Sequence, residues 1–242
     1  MLPIDQSSLE KFQKIKELFF ARTKVPEEEN WKKLTNNDIW LKIVAQVVIV
    51  GRSDPWDKLR ARTDLKEKIA WESLQRIESQ DELTRTVNQV LLAVGTRYAS
   101  STLSKSVKAQ ALAHNLNVLK GYNDGPKGFL QKISEFRGPA TDIMKIRFVM
   151  DSFIYIKNKG ARDLLMELGL VRNAIALDVR LRNVLQKAGF RVPNGFQGSS
   201  LIYEKIEKDI LNKICAPLRL AGVEFDRMLY QNYQDILDLK LE

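Results

Sequence analysis

Apolar residues recur at three- and four-residue intervals along almost the whole chain, and nowhere do two alternating segments flank a hairpin turn. That pattern restricts the fold to packed helices. Leu9, Phe12, Ile15, Leu18 and Phe19 form a stripe behind a Ser7-Ser8 cap, Ile39 to Val50 is apolar on all sides, and Leu65–Ile77 and Asp81–Tyr98 are amphipathic. "SKSVKAQALAHNLNVLKGY" opens at Ser104 and stops at Gly121, "GPKGFLQKISEF" begins after a turn, and "SSLIYEKIEKDILNKI" sets Ile202, Ile206, Ile210 and Ile214 four apart. "FVMDSFIYI" has the composition of a strand, but a lone strand has nothing to pair with. The expectation is an all-α protein. Its 242 residues suffice for one large domain or for two small lobes sharing a cleft. Gly, Pro and Asn punctuate it at 51–55, 121–128, 137–139 and 189–198, with no long linker and no repeat.

Charge and rare residues narrow the function classes. Lys and Arg outnumber Asp and Glu by 39 to 30, a net +9 that favours phosphate-rich partners or anionic surfaces without requiring them. The one cysteine, Cys215, excludes an internal disulfide and a Cys-ligated iron–sulfur cluster; with the single His114, it makes protein-borne metal chemistry improbable. Catalysis, if any, falls to carboxylates, amines or hydroxyls. Charges interrupt every candidate signal-peptide core in the first residues, and "IVAQVVIVG" is too short to span a bilayer, so an intracellular setting with no membrane partner is expected.

One stretch carries more information than the rest. "SFIYI", "KNK" and "GARDLLMELGL" read as a helix end, a very short turn and a second helix whose first amides are Gly160, Ala161 and Arg162. Amides at a helix start, with Lys157, Lys159 and Arg162 around them, make a seat for a backbone phosphate; Lys-Asn-Lys equally reads as a solvated loop. Downstream, "AIALDVRLRNVL" passes from a buried run into Asp178 and then a helix with Val179, Leu181, Val184 and Leu185 on its inner side, so Asp178 is an N-cap. Taken alone, that is an ordinary cap.

Together the two segments resemble a family. "FIYIKNKGARDLL" is similar to the helix–hairpin–helix of the base-excision DNA glycosylases typified by endonuclease III and 8-oxoguanine glycosylase, L-P-G-V-G-x-K-T-A-x-x-L-L: Lys159 falls on the lysine, Ala161 on the alanine, and Leu164 and Leu165 on the apolar pair. "AIALDVRLRNVLQKAGF" resembles V-D-T-H-V-x-R-V-x-N-R-x-G, with Asp178 on the catalytic aspartate. "VKAQALAHNL", "DIWLKIVAQVVIVGRSDPWDKL" and "AGVEFDRMLYQNY" echo other helices of the family more weakly. Departures are clear: Tyr155 and Lys157 replace the two hairpin glycines, Arg180 replaces a histidine, and the cluster cysteines are absent. The likeness is therefore to a divergent, cluster-free member nearer the 8-oxoguanine branches.

The resemblance implies a two-lobed helical fold with a cleft: a lobe at roughly 35–135, and a second made of 1–34 with 136–242 that contains the hairpin (about 139–172) and the aspartate segment. It implies extrusion of a damaged base from double-stranded DNA into that cleft, with Asp178 stabilising the positive sugar of the transition state and Lys159 attacking the anomeric carbon to form a Schiff base, helped by the like charge of Lys157, which is also a rival nucleophile. Backbone contacts would come from Lys157, Asn158, Gly160, Ala161, Arg162, Arg180 and Arg182, with Arg147 a further candidate. The base pocket or wedge would draw on Arg52, Phe153, Tyr230, Tyr233 and Trp40, or Trp56, although each aromatic also reads as core and Arg52 as plain loop. No cofactor and no metal would be needed, and the protein would act as a monomer. A monofunctional glycosylase with Lys159 structural, a non-catalytic DNA-binding module and a helical protein-interaction domain are the alternatives.

Overall fold

The computed structural model describes residues 6–138 and 140–240; Pro139, at the expected start of the hairpin, lies outside them. Among the described residues there are helices and turns and no strand, as the periodicity requires. In chain order the helices are α1 (Gln6–Phe19), α2 (Asn36–Val48), α3 (Asp54–Ala61), α4 (Thr63–Ile69), α5 (Trp71–Leu74), α6 (Gln80–Ala93), α7 (Val107–Lys120), α8 (Gly125–Ser134), α9 (Thr141–Ser152), α10 (Asn158–Glu167), α11 (Val179–Lys187), α12 (Ser200–Ile210), α13 (Gly222–Gln231) and α14 (Tyr233–Asp238). No described helix is long and apolar enough to cross a membrane.

Local chemistry sets several of the starts. Thr35 and Asp38 exchange bonds in a capping box at α2, Thr35 Oγ1 accepting from the Asp38 amide at 3.1 Å and Asp38 Oδ2 from the Thr35 amide at 2.9 Å. The Thr35 hydroxyl, donating to Asp38 Oδ2 at 2.7 Å, and after it the Thr35 amide hold the Asp38 carboxyl below its ordinary pKa. Ser79 caps α6 and Ser199 caps α12. Elsewhere the expected caps are displaced. Ser7 and Ser8 lie inside α1, Leu18 is exposed, and α7 starts at Val107, with Ser104 in a short 3₁₀ turn before it. "FVMDSFIYI" divides between the end of α9 and a loop, because its apolar residues fill a helical face and there is no partner strand among the described residues.

The chain forms two compact units, residues 29–164 and residues 1–28 with 165–242. The later boundary was expected near residue 135 and falls at 164/165. Stacking explains the shift: the Phe148 and Phe153 rings lie 5.5 and 4.8 Å from Phe129 of α8, and Asn115 of α7 both donates to the Ile154 carbonyl and accepts from its amide. Residues 136–164 thus belong with the central helices. In that unit α6 packs on α7, and α2 on α7 and α8, around Trp40, Ile43, Val44, Val47, Leu112 and Leu116. In the other unit α1 delivers Phe12, Ile15 and Phe19 to a core with Leu181, Leu185, Ile206, Ile210, Phe225 and Leu229, and the Phe12 and Phe225 rings meet edge-on at 5.6 Å. Burial of these large side chains is the main stabilising term in both units.

Candidate active site

Lys159 belongs to the second turn-bearing region of the central unit. α10 starts at Asn158, and the Ala161 amide already donates to the Lys157 carbonyl at 2.9 Å, so the helix's first amides are those of Asn158, Lys159 and Gly160, two residues earlier than the sequence suggested. The Lys159 side chain is 30% exposed, and its Nζ lies 3.0 Å from Asp163 Oδ2, one turn along the helix. The same Asp163 oxygen accepts from Gln46 Nε2 of α2 at 3.0 Å. The charge that contacts the amine is thus a carboxylate; Lys157, the expected neighbour, points to solvent.

The loop before α10 turns through Tyr155, whose φ of +70° is the left-handed conformation that glycine favours. Tyr155 occupies a glycine position of the resembled motif, so the backbone keeps the shape while a bulky residue bears its strain. Tyr98, before α7, is also left-handed, at φ +67°. Between the two rings, 5.9 Å from Tyr98 and 5.8 Å from Tyr155, sits the amine of Lys108, fully buried and donating to the carbonyls of Val48 and Val50 at 3.0 and 2.8 Å. Burial, reinforced by Arg97, brings the Lys108 pKa down to about 8; burial raises that of the Tyr155 phenol.

Asp178 belongs to the other unit. It is the N-cap of α11, with extended backbone and its Oδ1 accepting from the Leu181 amide at 2.9 Å. Its carboxylate borders a hollow of about 70 Å³ with Val179, Arg182, Gly195, Phe196 and Gln197. Arg182 Nε is buried there and finds no acceptor among the described residues. The hollow has room for a few waters but not for a purine. Beside it, Arg180 of α11 stacks over the half-exposed Tyr230 of α13, 5.1 Å from the ring centre.

No protein-family model matches the sequence, and no curated protein matches it. Solved structures do. The 8-oxoguanine DNA glycosylase of Methanocaldococcus jannaschii aligns with a TM-score of 0.63 at 14% identity, over 92% of this chain and 91% of that one. The 8-oxoguanine DNA glycosylase of Thermotoga maritima gives 0.60 at 18% identity, over 92% and 93%. The Methanocaldococcus jannaschii 8-oxoguanine glycosylase/lyase in complex with a 15-mer DNA containing 8-oxoguanine gives 0.62 at 14% identity, over 96% and 99%. The fold is that of the 8-oxoguanine DNA glycosylases.

Within this glycosylase fold the sequence-derived candidates separate by burial. Lys157 and Arg180 are exposed, Gly160 and Arg182 half-buried. Asn158, Ala161 and Arg162 are buried, and their side chains are not the phosphate contacts expected of them: Arg162 lies on the inner face of α10, its guanidinium donating to the carbonyl and side-chain oxygen of Asn158 at 3.1 and 3.2 Å. Two pocket candidates are also corrected. Trp40 is fully buried with its indole N–H donating to the Ile69 carbonyl at 2.7 Å, and Phe153 is buried in the Phe129 stack. Tyr233 is half-buried, its hydroxyl accepting from Asn183 at 3.0 Å. Arg52 is exposed and clamped bidentately on Asp54 at 2.8 Å; Trp56 is half-buried and Arg147 exposed. Asp163, Gln46 and Lys108 were not anticipated. Asp163 had a readable signal, since it stands four residues after Lys159 on one helix face. Gln46 had none.

Proposed function

We propose that this protein is a base-excision DNA glycosylase with AP lyase activity that acts on an oxidised purine, 8-oxoguanine above others, in double-stranded DNA. The observation that carries the reading is Asp178 held as the N-cap of α11 at a solvent-reached hollow, in a chain whose fold is shared along more than nine-tenths of its length with 8-oxoguanine glycosylases. A carboxylate capping a helix start is held in place by the amide it accepts from, which suits a sugar that becomes positive as its bond to the base breaks. A net charge of +9 and the exposed Lys157 and Arg180 favour a polyanionic duplex.

In this reading the Lys159 Nζ lone pair bonds to the anomeric carbon as the bond to the purine nitrogen breaks; the electron pair leaves with the base, which takes up a proton. Opening of the sugar gives a Schiff base, and loss of a proton from the adjacent sugar carbon expels the 3′ phosphate. The 3.0 Å contact with Asp163 has to open before the amine attacks.

Borohydride trapping on duplexes carrying single lesions tests the proposal. Wild-type protein should give a covalent adduct with 8-oxoguanine DNA, Lys159→Gln none, and Asp178→Asn a strongly reduced yield. An adduct that survives in Lys159→Gln moves the nucleophile to Lys157, and absence of base release from every oxidised lesion overturns the proposal. The ion pair with Asp163 favours one second reading, a monofunctional glycosylase in which Lys159 is structural; such an enzyme would release bases and leave strands intact until alkali is added.

A further inference from the structure

The residues leading into Asp178 carry a supporting system that the proposed reaction does not use directly. Ala174, Ile175, Ala176 and Leu177 are buried and belong to neither helix nor strand, so water cannot satisfy their peptide groups. Side chains do most of this instead, Gln197 Nε2 donating to the Leu177 carbonyl at 3.3 Å and three others holding the amides. The Ile175 amide donates to Glu207 Oε1 at 2.8 Å, the Ala176 amide to Asp226 Oδ2 at 2.7 Å, and the Leu177 amide to the Tyr203 hydroxyl at 2.7 Å; that hydroxyl donates in turn to the Ile175 carbonyl at 2.9 Å. Successive amides are thus gripped from α12 and α13, and all three gripping side chains are themselves buried. Gly222, first residue of α13, closes the start of the segment: a Cβ there would stand 2.7 Å from the Ala174 amide nitrogen and carbonyl oxygen.

We propose that Tyr203, Glu207 and Asp226 are positioning residues for Asp178, fixing the segment before it so that the carboxylate meets the developing sugar cation without reorganising. The inference rests on the proposed role of Asp178. Bonds from amides to carboxylates are short and strong, and a carboxylate acting electrostatically loses effect steeply when displaced by an ångström. Within the segment itself the restraint is one bond, from the Leu177 amide to the Ile175 carbonyl at 3.1 Å.

The test is single-turnover base release from a duplex bearing one 8-oxoguanine, together with duplex affinity and thermal unfolding. Tyr203→Phe, which deletes one hydroxyl and leaves the Leu177 amide and the Ile175 carbonyl only their 3.1 Å bond to each other, should slow release by about tenfold or more with duplex affinity unchanged. Asp226→Ala should do the same, and Asp226→Asn, whose amide oxygen still accepts the Ala176 N–H, should regain part of the loss. If Asp226→Ala does not fold, Tyr203→Phe decides alone. Wild-type release rates in Tyr203→Phe, or a loss that follows melting temperature or duplex affinity, would overturn the positioning role while the glycosylase reading stands. A wild-type protein that releases no lesion removes that reading and this inference with it.

Discussion

Lys159 and Asp178 each stand at the beginning of a helix, yet they are held there by opposite means. The lysine is restrained by other side chains: a carboxylate one turn away, itself tethered by Gln46, on a turn whose tyrosine bears left-handed strain. The aspartate is restrained by main chain: the Leu181 amide holds its oxygen, and three buried side chains hold the peptides before it. A single part-buried ion pair along one helix face can open by a change of side-chain rotamer, whereas buried amide bonds are costly to leave unmade. In the proposed reaction the attacking amine has to move and shed a proton, and the carboxylate that stabilises charge has to stay where it is. The two modes of restraint suit those two tasks.

The largest effect expected is on the rigid side. Asp178→Asn keeps the N-cap, since asparagine caps as well as aspartate, and removes the charge. Base release should fall by about 100-fold or more while the melting temperature hardly changes; loss of both together would mean that Asp178 only builds the helix. On the mobile side, Lys108 underpins the Tyr155 turn. Its folded pKa of about 8 lies below the ordinary 10.5, so between those pH values the unfolded chain binds a proton that the folded chain does not, and stability rises with pH. Wild-type protein should gain on the order of 2 kcal/mol across that window relative to Lys108→Met in denaturant titrations; equal slopes would refute a buried, shifted amine. Tyr155→Val puts a β-branched residue at φ +70° and should cost roughly 1–3 kcal/mol, read as a lower unfolding midpoint, whereas Tyr155→Gly should be far milder. The smallest effect is at Asp163. Asp163→Asn loosens the amine, and trapping and base release should change together by no more than about fivefold; abolished trapping would make Asp163 an obligatory proton acceptor.

Repeat spacing made the helices legible, and the N-cap at Asp178 was readable because a polar residue after a buried run and before an amphipathic segment has few other uses. The departures at Tyr155 and Lys157 were visible as well, but that the turn keeps a glycine's conformation at Tyr155 is a property of the folded backbone. That Arg162 and Asn158 are buried while Lys157 is exposed is not legible, because residues of one short stretch share composition and differ only in which face of the turn and of α10 they occupy. Phe153 and Trp40 were open to either reading, since an aromatic in a core and one in a pocket look alike in sequence. The grip of Tyr203, Glu207 and Asp226 on residues 175–177 left only a faint mark, polar groups on otherwise apolar faces of α12 and α13.

The sequence by itself determined the helical class, the punctuation and the side chains able to carry chemistry, because period and residue type act over a few neighbouring positions. Only the tertiary structure decided which of those side chains face water, that Lys159 is paired with Asp163, and that a buried loop is held from two distant helices. Those outcomes depend on which residues far apart in the chain come to share a few ångströms, and no local pattern encodes that.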